Sequence, residues 1–354
     1  MIEVKEVSFD FMAKCITEKV KPQETDINVY VGLEHLDADS LKIQRRGTPD
    51  DVIGEKIHAL PGDIIFGKRR AYQRKLGITD VECIASAHSM VLRAKPKNIV
   101  PEFLPYFMQS DIFMERAVKI SEGSLSPTIK WKAMAKERFV IPDCNRQKEI
   151  AELMSAFDES IEAKKQMIGK INKAKDTISK KEFGENLTET PCTLRDLVNI
   201  EYGFSLPEQL REGGDIPVYG SNGIVGYHCV GGLCGKGIIL GRKGSIDKVT
   251  WVEGKYIPID TTYYLVPRPN VQLKWIYYYL LTIDLRSLNA ATGVPSLNRN
   301  TLYELKLCRH CEEKQLKIIQ TLEKLESAIV NVQETKNTVS SLKKQVFEKL
   351  LNGG

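Results

Sequence analysis

The stretch GDIIFGKR, Gly62–Arg69, is an apolar run between glycines that opens onto cations, and KGIILGRK, Lys236–Lys243, repeats it at an offset of 174 residues. Such a recurrence resets the reading of the whole chain, because each copy of a duplicated unit has its own apolar face to bury. Three further landmarks follow in the same order. FLPYFM from Phe103 resembles WIYYYL from Trp275, at an offset of 172; EGSLS resembles TGVPS, with Gly123 and Gly293 170 apart; RQKEI resembles KQLKI, with Gln147 and Gln315 168 apart. The offset drifts smoothly, as changes in loop length make it. Four collinear matches indicate duplication.

After the fourth landmark each copy turns helical. Ile150, Met154, Phe157, Ile161, Ile168, Ile171 and Ile178 fall at helical spacings, interrupted by Lys164 and Lys175. In the second copy Ile318, Leu322, Leu325, Ile329, Val332, Val339, Val346 and Leu350 do the same, interrupted by Lys336. These are coiled-coil seams. Neither segment contains proline, and Gly184 and Gly353 stand at their ends. Each helix runs about 37 residues, ~55 Å at 1.5 Å per residue, beyond the length of an ordinary core helix. With no third long stripe, the simplest burial is one seam against the other, and the connectivity then makes the pair antiparallel, with similar domains at the two ends of a rod. Within each domain β-branched runs such as ECIASAHSMVLRA and DTTYYLVP precede an apolar helix. The fold expected is mixed α/β (α+β): two pseudo-repeated globular domains separated by two long helices. The expected bounds are 1–142 for the first domain, 143–183 for the first helix, 184–190 for the linker, 191–307 for the second domain and 308–354 for the second helix. WIYYYL reads as core rather than as a base-stacking platform.

At 354 residues the chain has room for two domains. Hydrophobic content of 42% and charged content of 27% are those of a globular protein, and no apolar run approaches the ~20 residues of a membrane helix. The N-terminal MIEVKEVSFDF lacks a secretory layout, so a cytoplasmic location is expected. The eight cysteines are scattered, which points to reduced thiols without structural disulfides. A net charge of +5 is only mildly basic, so local clustering has to carry any reading of nucleic-acid binding. Residues 62–75 hold five cations, Lys68, Arg69, Arg70, Arg74 and Lys75, against Asp63.

Two domains alternating with two long helices, carrying GDIIFGKRRAYQRKLG, SAHSMVLRAK and GSLSPTIKWKAM in the first and IPVYGSNGIVGYH and GIILGRKGSIDKV in the second, resemble the specificity subunit of a type I restriction-modification enzyme. The resemblance covers essentially the whole chain. It implies two target-recognition domains, each reading half of a split duplex DNA sequence, and helices that dock two methyltransferase subunits, with restriction (translocase) subunits completing the enzyme. It further implies a non-catalytic chain that binds no cofactor itself, S-adenosylmethionine, ATP and Mg²⁺ acting in the partners.

The residues suit that task. Lys68, Arg69, Arg70, Arg74 and Lys75 on a loop after a strand could neutralise phosphates and offer bidentate donors to guanine, with Tyr72 stacking among them. In the second domain Arg242, Lys243 and Lys248 surround the KGS turn, where Gly244 lets the backbone approach a phosphate. The polar loops add Ser124, Ser126, Thr128, Ser296 and Asn298, and YGSNGIVGYH adds Ser221, Asn222 and Tyr227, as candidates for bonds to backbone or base edges. The competing reading is solvated turns whose polar side chains cap the local backbone. CRHC, Cys308–Cys311, has zinc-knuckle spacing, but Cys229 and Cys234 would complete the set with a mismatched gap, and no zinc is expected. Pro142-Asp143 followed by Glu162-Ala163-Lys164 has the look of a metal-dependent nuclease pattern, yet Glu162 and Lys164 lie on a helix face instead of a cleft. A nuclease or methyltransferase, and a coiled-coil DNA-binding scaffold or regulator without an attached enzyme, are the rival readings.

Overall fold

The computed structural model describes residues 4–184 and 191–351. Apart from Gly184, the expected linker falls outside them. The chain divides into two compact units, 1–164 with 335–354, and 165–334. Each unit therefore takes in a stretch of both long helices.

The first landmark forms a strand in each unit, Ile64–Gly67 and Gly237–Gly241. Side chains alternate across a strand, and here both faces are covered. Ile64 and Phe66 enter the main core of the first unit, and Ile65 enters a second, smaller core. Ile238 and Leu240 enter the main core of the second unit, and Ile239 a smaller one. A continuous apolar run is what such a doubly covered strand demands. Around it the sheet order repeats. In the first unit Ala13–Ile16, Ser89–Ala94, Ile64–Gly67 and Leu76–Ile78 lie side by side; in the second, Val198–Tyr202, Thr262–Pro267, Gly237–Gly241 and Val249–Val252. All six pairings are antiparallel.

A second sheet shares three strands between the units. Lys56–Ala59, Cys83–Ala85 and Tyr30–Val31 correspond to Leu233–Cys234, Lys255–Pro258 and Ile216–Gly220, the last pairing being parallel in both. The fourth strand differs. The first unit adds Lys19–Val20 beside Lys56–Ala59, whereas the second adds Gly223–His228 at the opposite edge, as a hairpin with Ile216–Gly220.

The second landmark is core in both units. Phe103 and Phe107 pack with Phe9, Phe66, Phe113 and Phe139, and Trp275, Tyr278 and Tyr279 are almost wholly buried. The fourth landmark ties the core to the long helices. Gln147 and Gln315 are 2% and 0% exposed. The Gln147 carbonyl accepts from the Val100 N–H (2.9 Å) and its amide donates to the Pro142 carbonyl (2.8 Å); Gln315 bonds in the same way to Gln272 N–H (2.8 Å) and the His310 carbonyl (2.8 Å).

The helices span Cys144–Phe183 and Glu312–Leu351. The second begins four residues later than the sequence pattern indicates, because Cys308 is taken up in a strand against Pro191. Asp143 caps the first, accepting from the Asn145 and Arg146 N–H groups, which gives this carboxylate a local structural partner. The expected seam is present. Ile161, Lys164, Ile168, Ile171, Lys175 and Ile178 are all half-buried at three- and four-residue spacing. In the second unit Lys175 pairs with Glu326 (2.6 Å) and Glu182 with Lys314 (3.9 Å), so the helices run in opposite directions. In the first unit Ile150 and Met154 share a core with Phe347, Val346 and Leu350.

His58 is clamped between Glu18 (Nδ1, 3.1 Å) and Glu82 (Nε2, 2.7 Å) on the second sheet of the first unit. Burial lowers its pKa, but the two carboxylates outweigh burial and the net shift is upward. A raised folded-state pKa contributes stability below the unfolded value of about 6.5 and loses it as pH rises through the folded pKa. His58→Gln is therefore expected to lower the melting temperature of the first unit more at pH 6 than at pH 8.5. Thermal scans of both proteins at the two pH values check this, and an equal loss at both shows that the charge on His58 is not what the clamp uses.

Candidate nucleic-acid interface

The cationic loop follows the central strand directly, so the sheet fixes where it starts. A second fastening fixes where it goes. In the first unit the Arg70 N–H donates to the Pro127 carbonyl (2.8 Å) and the Ile129 N–H donates to the Lys68 carbonyl (2.9 Å). In the second the Gly244 N–H donates to the Pro295 carbonyl (2.9 Å) and the Leu297 N–H to the Arg242 carbonyl (3.0 Å). Arg69 thus bridges Thr128 as Lys243 bridges Ser296. The structure brings together the first and third landmarks, which lie far apart in sequence, at the same register in both units. It also corrects the third alignment. Glu122 N–H donates to the Thr128 carbonyl as Ala290 N–H does to the Ser296 carbonyl, so Gly123 corresponds to Ala291 and not to Gly293.

At this junction Ser126 Oγ accepts from the guanidiniums of Arg69 (3.0 Å) and Arg70 (3.3 Å). Arg69 also reaches His88 Nε2 at 3.3 Å. Lys68 is half-buried, and burial pulls its ammonium below the ordinary range despite the opposing influence of Cys15. Tyr72 is exposed, as are Ser124 and Lys243. Arg70 has φ 57° and ψ 53°, the left-handed region that non-glycine residues avoid at about 1–2 kcal/mol. Its counterpart is Gly244, φ 86°. Arginine is thus retained where the backbone favours glycine.

Other expected site residues have structural employment. Arg74 donates to Asp39 (2.7 Å), Asp111 (2.9 Å) and the Gln109 carbonyl. Burial lowers its pKa, but the two carboxylates outweigh burial and the net shift is upward. Lys75 Nζ holds the Leu33 carbonyl (2.6 Å), and its counterpart Lys248 holds that of Asn222 (3.2 Å); each tethers a loop of the second sheet to the first. Thr128 Oγ1 donates to the Ser126 carbonyl (3.1 Å), and Asn298 caps the short helix Arg299–Tyr303. Asp63, counted in the surface charge of this stretch, is 1% exposed and bidentate with Arg93 (2.6 and 2.7 Å), so it does not offset the surface cations.

In the second unit the hairpin turn Ser221–Asn222 lies beside the cationic loop. A Cβ at Gly244 would come within 3.3 Å of Ser221 Oγ. Tyr227 stands exposed on the outer strand. Two residues that sequence reasoning missed complete this surface. Tyr202, 48% exposed, is contacted by the guanidiniums of Arg242 (5.3 Å) and Arg299 (4.8 Å) and by the Tyr263 ring (5.2 Å). The only signal for Arg299 was its place next to Asn298. For Tyr202 there was none, because the contact is made across strands.

Among the described residues no three His, Cys, Asp or Glu side chains converge as metal ligands, and no helix is long and apolar enough to cross a membrane. His310 of CRHC is buried against the Trp275 ring (5.6 Å), with Nε2 3.1 Å from the Glu182 carbonyl.

Two sheet-based units, each fastening a cationic turn to a second loop at one register, define a duplicated loop-presenting scaffold. The family model for the type I restriction modification DNA specificity domain matches residues 45–173 and 189–340, and the chain belongs to that family. It is similar to the type I restriction enzyme EcoprrI specificity subunit of Escherichia coli, 22% identical over 191 residues. That match covers 54% of this chain and 42% of the relative, about two fifths of the relative's length. The fold is shared with the S subunit of a type I restriction-modification system from M. genitalium, TM-score 0.64, 17% identity, over 99% of this chain and 96% of that one. It is shared too with a chain from the structural study of complex assembly and conformational transition in the type I R-M system, TM-score 0.65, 16% identity, over 99% and 98%.

Strain at Arg70 yields a paired expectation. Arg70→Gly loses the Ser126 contact and adds unfolded-state entropy of roughly 0.5–1 kcal/mol, but it relieves the left-handed backbone, about 1–2 kcal/mol, so it should stay close to the parent in stability. Arg70→Ala keeps the strain and loses the Ser126 contact, so it should be less stable. Denaturant unfolding of the three proteins checks the order, and an Arg70→Gly protein less stable than Arg70→Ala contradicts it.

Proposed function

We propose that this chain is the DNA-specificity subunit of a type I restriction-modification enzyme, each unit reading one half of a bipartite duplex target. The supporting observation is the cationic turn, fastened through main-chain bonds at one register in both units while its side chains differ. Main-chain bonds set position without constraining residue identity, which is what two readers of different half-sites need. Lys68, Arg69, Arg70 and Tyr72 in the first unit, and Arg242 and Lys243 in the second, are the contacts proposed. Ser124, Ser126, Ser221, Asn222, Tyr227 and Ser296 flank them, and Tyr202, Arg299 and His88 join the set. Arg74, Lys75, Lys248, Thr128 and Asn298 position the loops.

In this reading the chain itself is not catalytic and works in the cytoplasm. Two methyltransferase subunits dock on its long helices, and restriction subunits complete the assembly. S-adenosylmethionine, ATP and Mg²⁺ act in those partners. A DNA-binding scaffold without an attached enzyme is the alternative, and co-purification of a methyltransferase with the tagged full chain separates the two.

Neutralising Lys68, Arg69 and Arg70 together should weaken DNA binding and flatten its salt dependence, each lost phosphate contact removing about 0.9 from the slope of log affinity against log salt. Arg242→Ala with Lys243→Ala should act alike. Titrations of duplex DNA at several salt concentrations read this directly. An unchanged slope with native circular dichroism places the DNA on another surface.

Exchanging residues 191–307 for those of a relative should change one half of the recognised sequence only. Mapping methylated positions in cells carrying the chimera with its methyltransferase checks it, and a change in both halves contradicts independent reading.

A further inference from the structure

Leu125 is 91% exposed at the middle of the five-residue loop Gly123–Pro127. A solitary exposed leucine is ordinary, so its setting decides what it means. Ile53, 90% exposed, is the contrasting case, since its loop carries Asp50 and Asp51, its Glu55 is paired with Lys19 and its Lys56 ammonium is turned in onto the Ile53 and Gly54 carbonyls, so it presents no cluster of free cations. Leu125 stands beside the cations. Its neighbour Ser126 receives the Arg69 and Arg70 guanidiniums, and the loop is closed by Glu122 N–H to the Thr128 carbonyl (3.1 Å) and Thr128 N–H to the Glu122 carbonyl (2.9 Å). Two further main-chain bonds fasten it to Lys68 and Arg70. The tip is therefore rigidly based and carried wherever those arginines meet phosphates.

The surface that a duplex offers to such a side chain is limited. Groove floors are lined mainly with hydrogen-bonding edges, the thymine C5 methyl in the major groove being their one small apolar feature, so a leucine gains little by displacing water from them. The large apolar surface in DNA is the base face, reached only by opening a step. Resting on the DNA-specificity reading above, we propose that Leu125 is an apolar wedge that enters an opened base step at the first half-site and unstacks it. The corresponding loop of the second unit, Ala291–Pro295, presents Val294, 68% exposed and one position further along, in the place of Ser126. A shorter, β-branched tip there gives a shallower insertion.

The test uses the full chain in complex with its co-expressed methyltransferase, the target first being mapped from methylated positions in the host. The probes are duplexes of that target with 2-aminopurine placed at successive positions through both half-sites, since its fluorescence rises on unstacking. A methyltransferase extrudes the base it modifies, so a rise at the methylated base is expected in every complex and is not counted; apart from it, the wild-type complex should raise fluorescence at one step of the first half-site. Leu125→Ser should abolish that rise and weaken binding about tenfold, as expected for losing one buried leucine side chain, while leaving the salt slope unchanged. Leu125→Phe should restore the signal. Away from the methylated base, a rise that persists in Leu125→Ser, or no rise in the wild type at any position, overturns the wedge and leaves DNA specificity standing. Loss of the methyltransferase from Leu125→Ser during purification, with the rise retained, assigns the tip to a protein partner and overturns the wedge as well. A wild-type complex that does not bind the duplex removes the functional reading itself, a result distinct from the others.

Discussion

The pair of main-chain hydrogen bonds that joins each cationic turn to the loop before the next short helix governs how this molecule can vary. Lys68 and Arg70 are held to Ile129 and Pro127 as Arg242 and Gly244 are held to Leu297 and Pro295. Side chains take no part in these bonds, although in the first unit Ser126 Oγ adds contacts to Arg69 and Arg70. A loop so fastened keeps its position through almost any substitution at its surface, provided the backbone can adopt the required angles. The strand beneath is buried on both faces, and it transmits the position of the whole sheet to the turn. The glycine at the end of the second strand shows how tight this passage is, for a Cβ at Gly241 would meet the Ser245 carbonyl oxygen at 1.9 Å.

What repeats between the units is therefore mostly architecture. The buried glutamines at the start of the long helices satisfy main-chain groups that would otherwise be unpaired in the core, and such groups cost about 1–3 kcal/mol when orphaned. Lys75 and Lys248 each hold a carbonyl just beyond the parallel strand of the second sheet, Leu33 and Asn222. What differs is concentrated at the surface: arginine against glycine at the left-handed position, Ser126 against Val294, a two-residue edge strand at Lys19–Val20 against a hairpin at Gly223–His228. Recurrence of a cation in both halves is thus an ambiguous sign of ligand contact. Lys75 and Lys248 recur because they build the fold, whereas Arg70 does not recur.

Much of the fold was legible because duplication and helical periodicity are written in residue spacing. The central strand, the buried aromatic helix and both seams follow from apolar positions alone, and the lysines that interrupt the first seam still occupy seam positions. Lys175 does so by pairing with Glu326, which also accepts from the Tyr278 hydroxyl (2.9 Å). The candidate site was legible only in part. A sequence shows that Arg69, Arg70 and Arg74 are cations, but not that Arg74 is spent on Asp39 and Asp111, since those partners lie 35 and 37 residues away. Nor does spacing reveal that loops around Arg69 and Thr128 meet, or that Tyr202 is contacted by two guanidiniums. The two-residue error in aligning Gly123 has the same origin. Residue identity pairs the two glycines, while the fold pairs positions by hydrogen-bonding register.

Fastening by backbone also explains why strain can persist at Arg70. A left-handed arginine held by its own side chain would relax as soon as that contact loosened. Here the Arg70 N–H is bonded to Pro127 and its carbonyl to the Gln73 N–H (2.9 Å), so the angles are imposed by neighbours on both sides. The guanidinium is then free to serve the surface, with Ser126 steadying it at 3.3 Å without burying its charge. In the second unit glycine removes the strain and the side chain together, and the cations of that turn come from the two residues before it, Arg242 and Lys243. Arg242 donates to the Asp260 carbonyl (2.8 Å) and lies over Tyr202. Both units thus present cations at the two shared positions, Lys68 and Arg69 against Arg242 and Lys243, and the first unit adds a third at Arg70; in the DNA-specificity reading proposed above, that extra guanidinium is what distinguishes the reach of the first turn from that of the second.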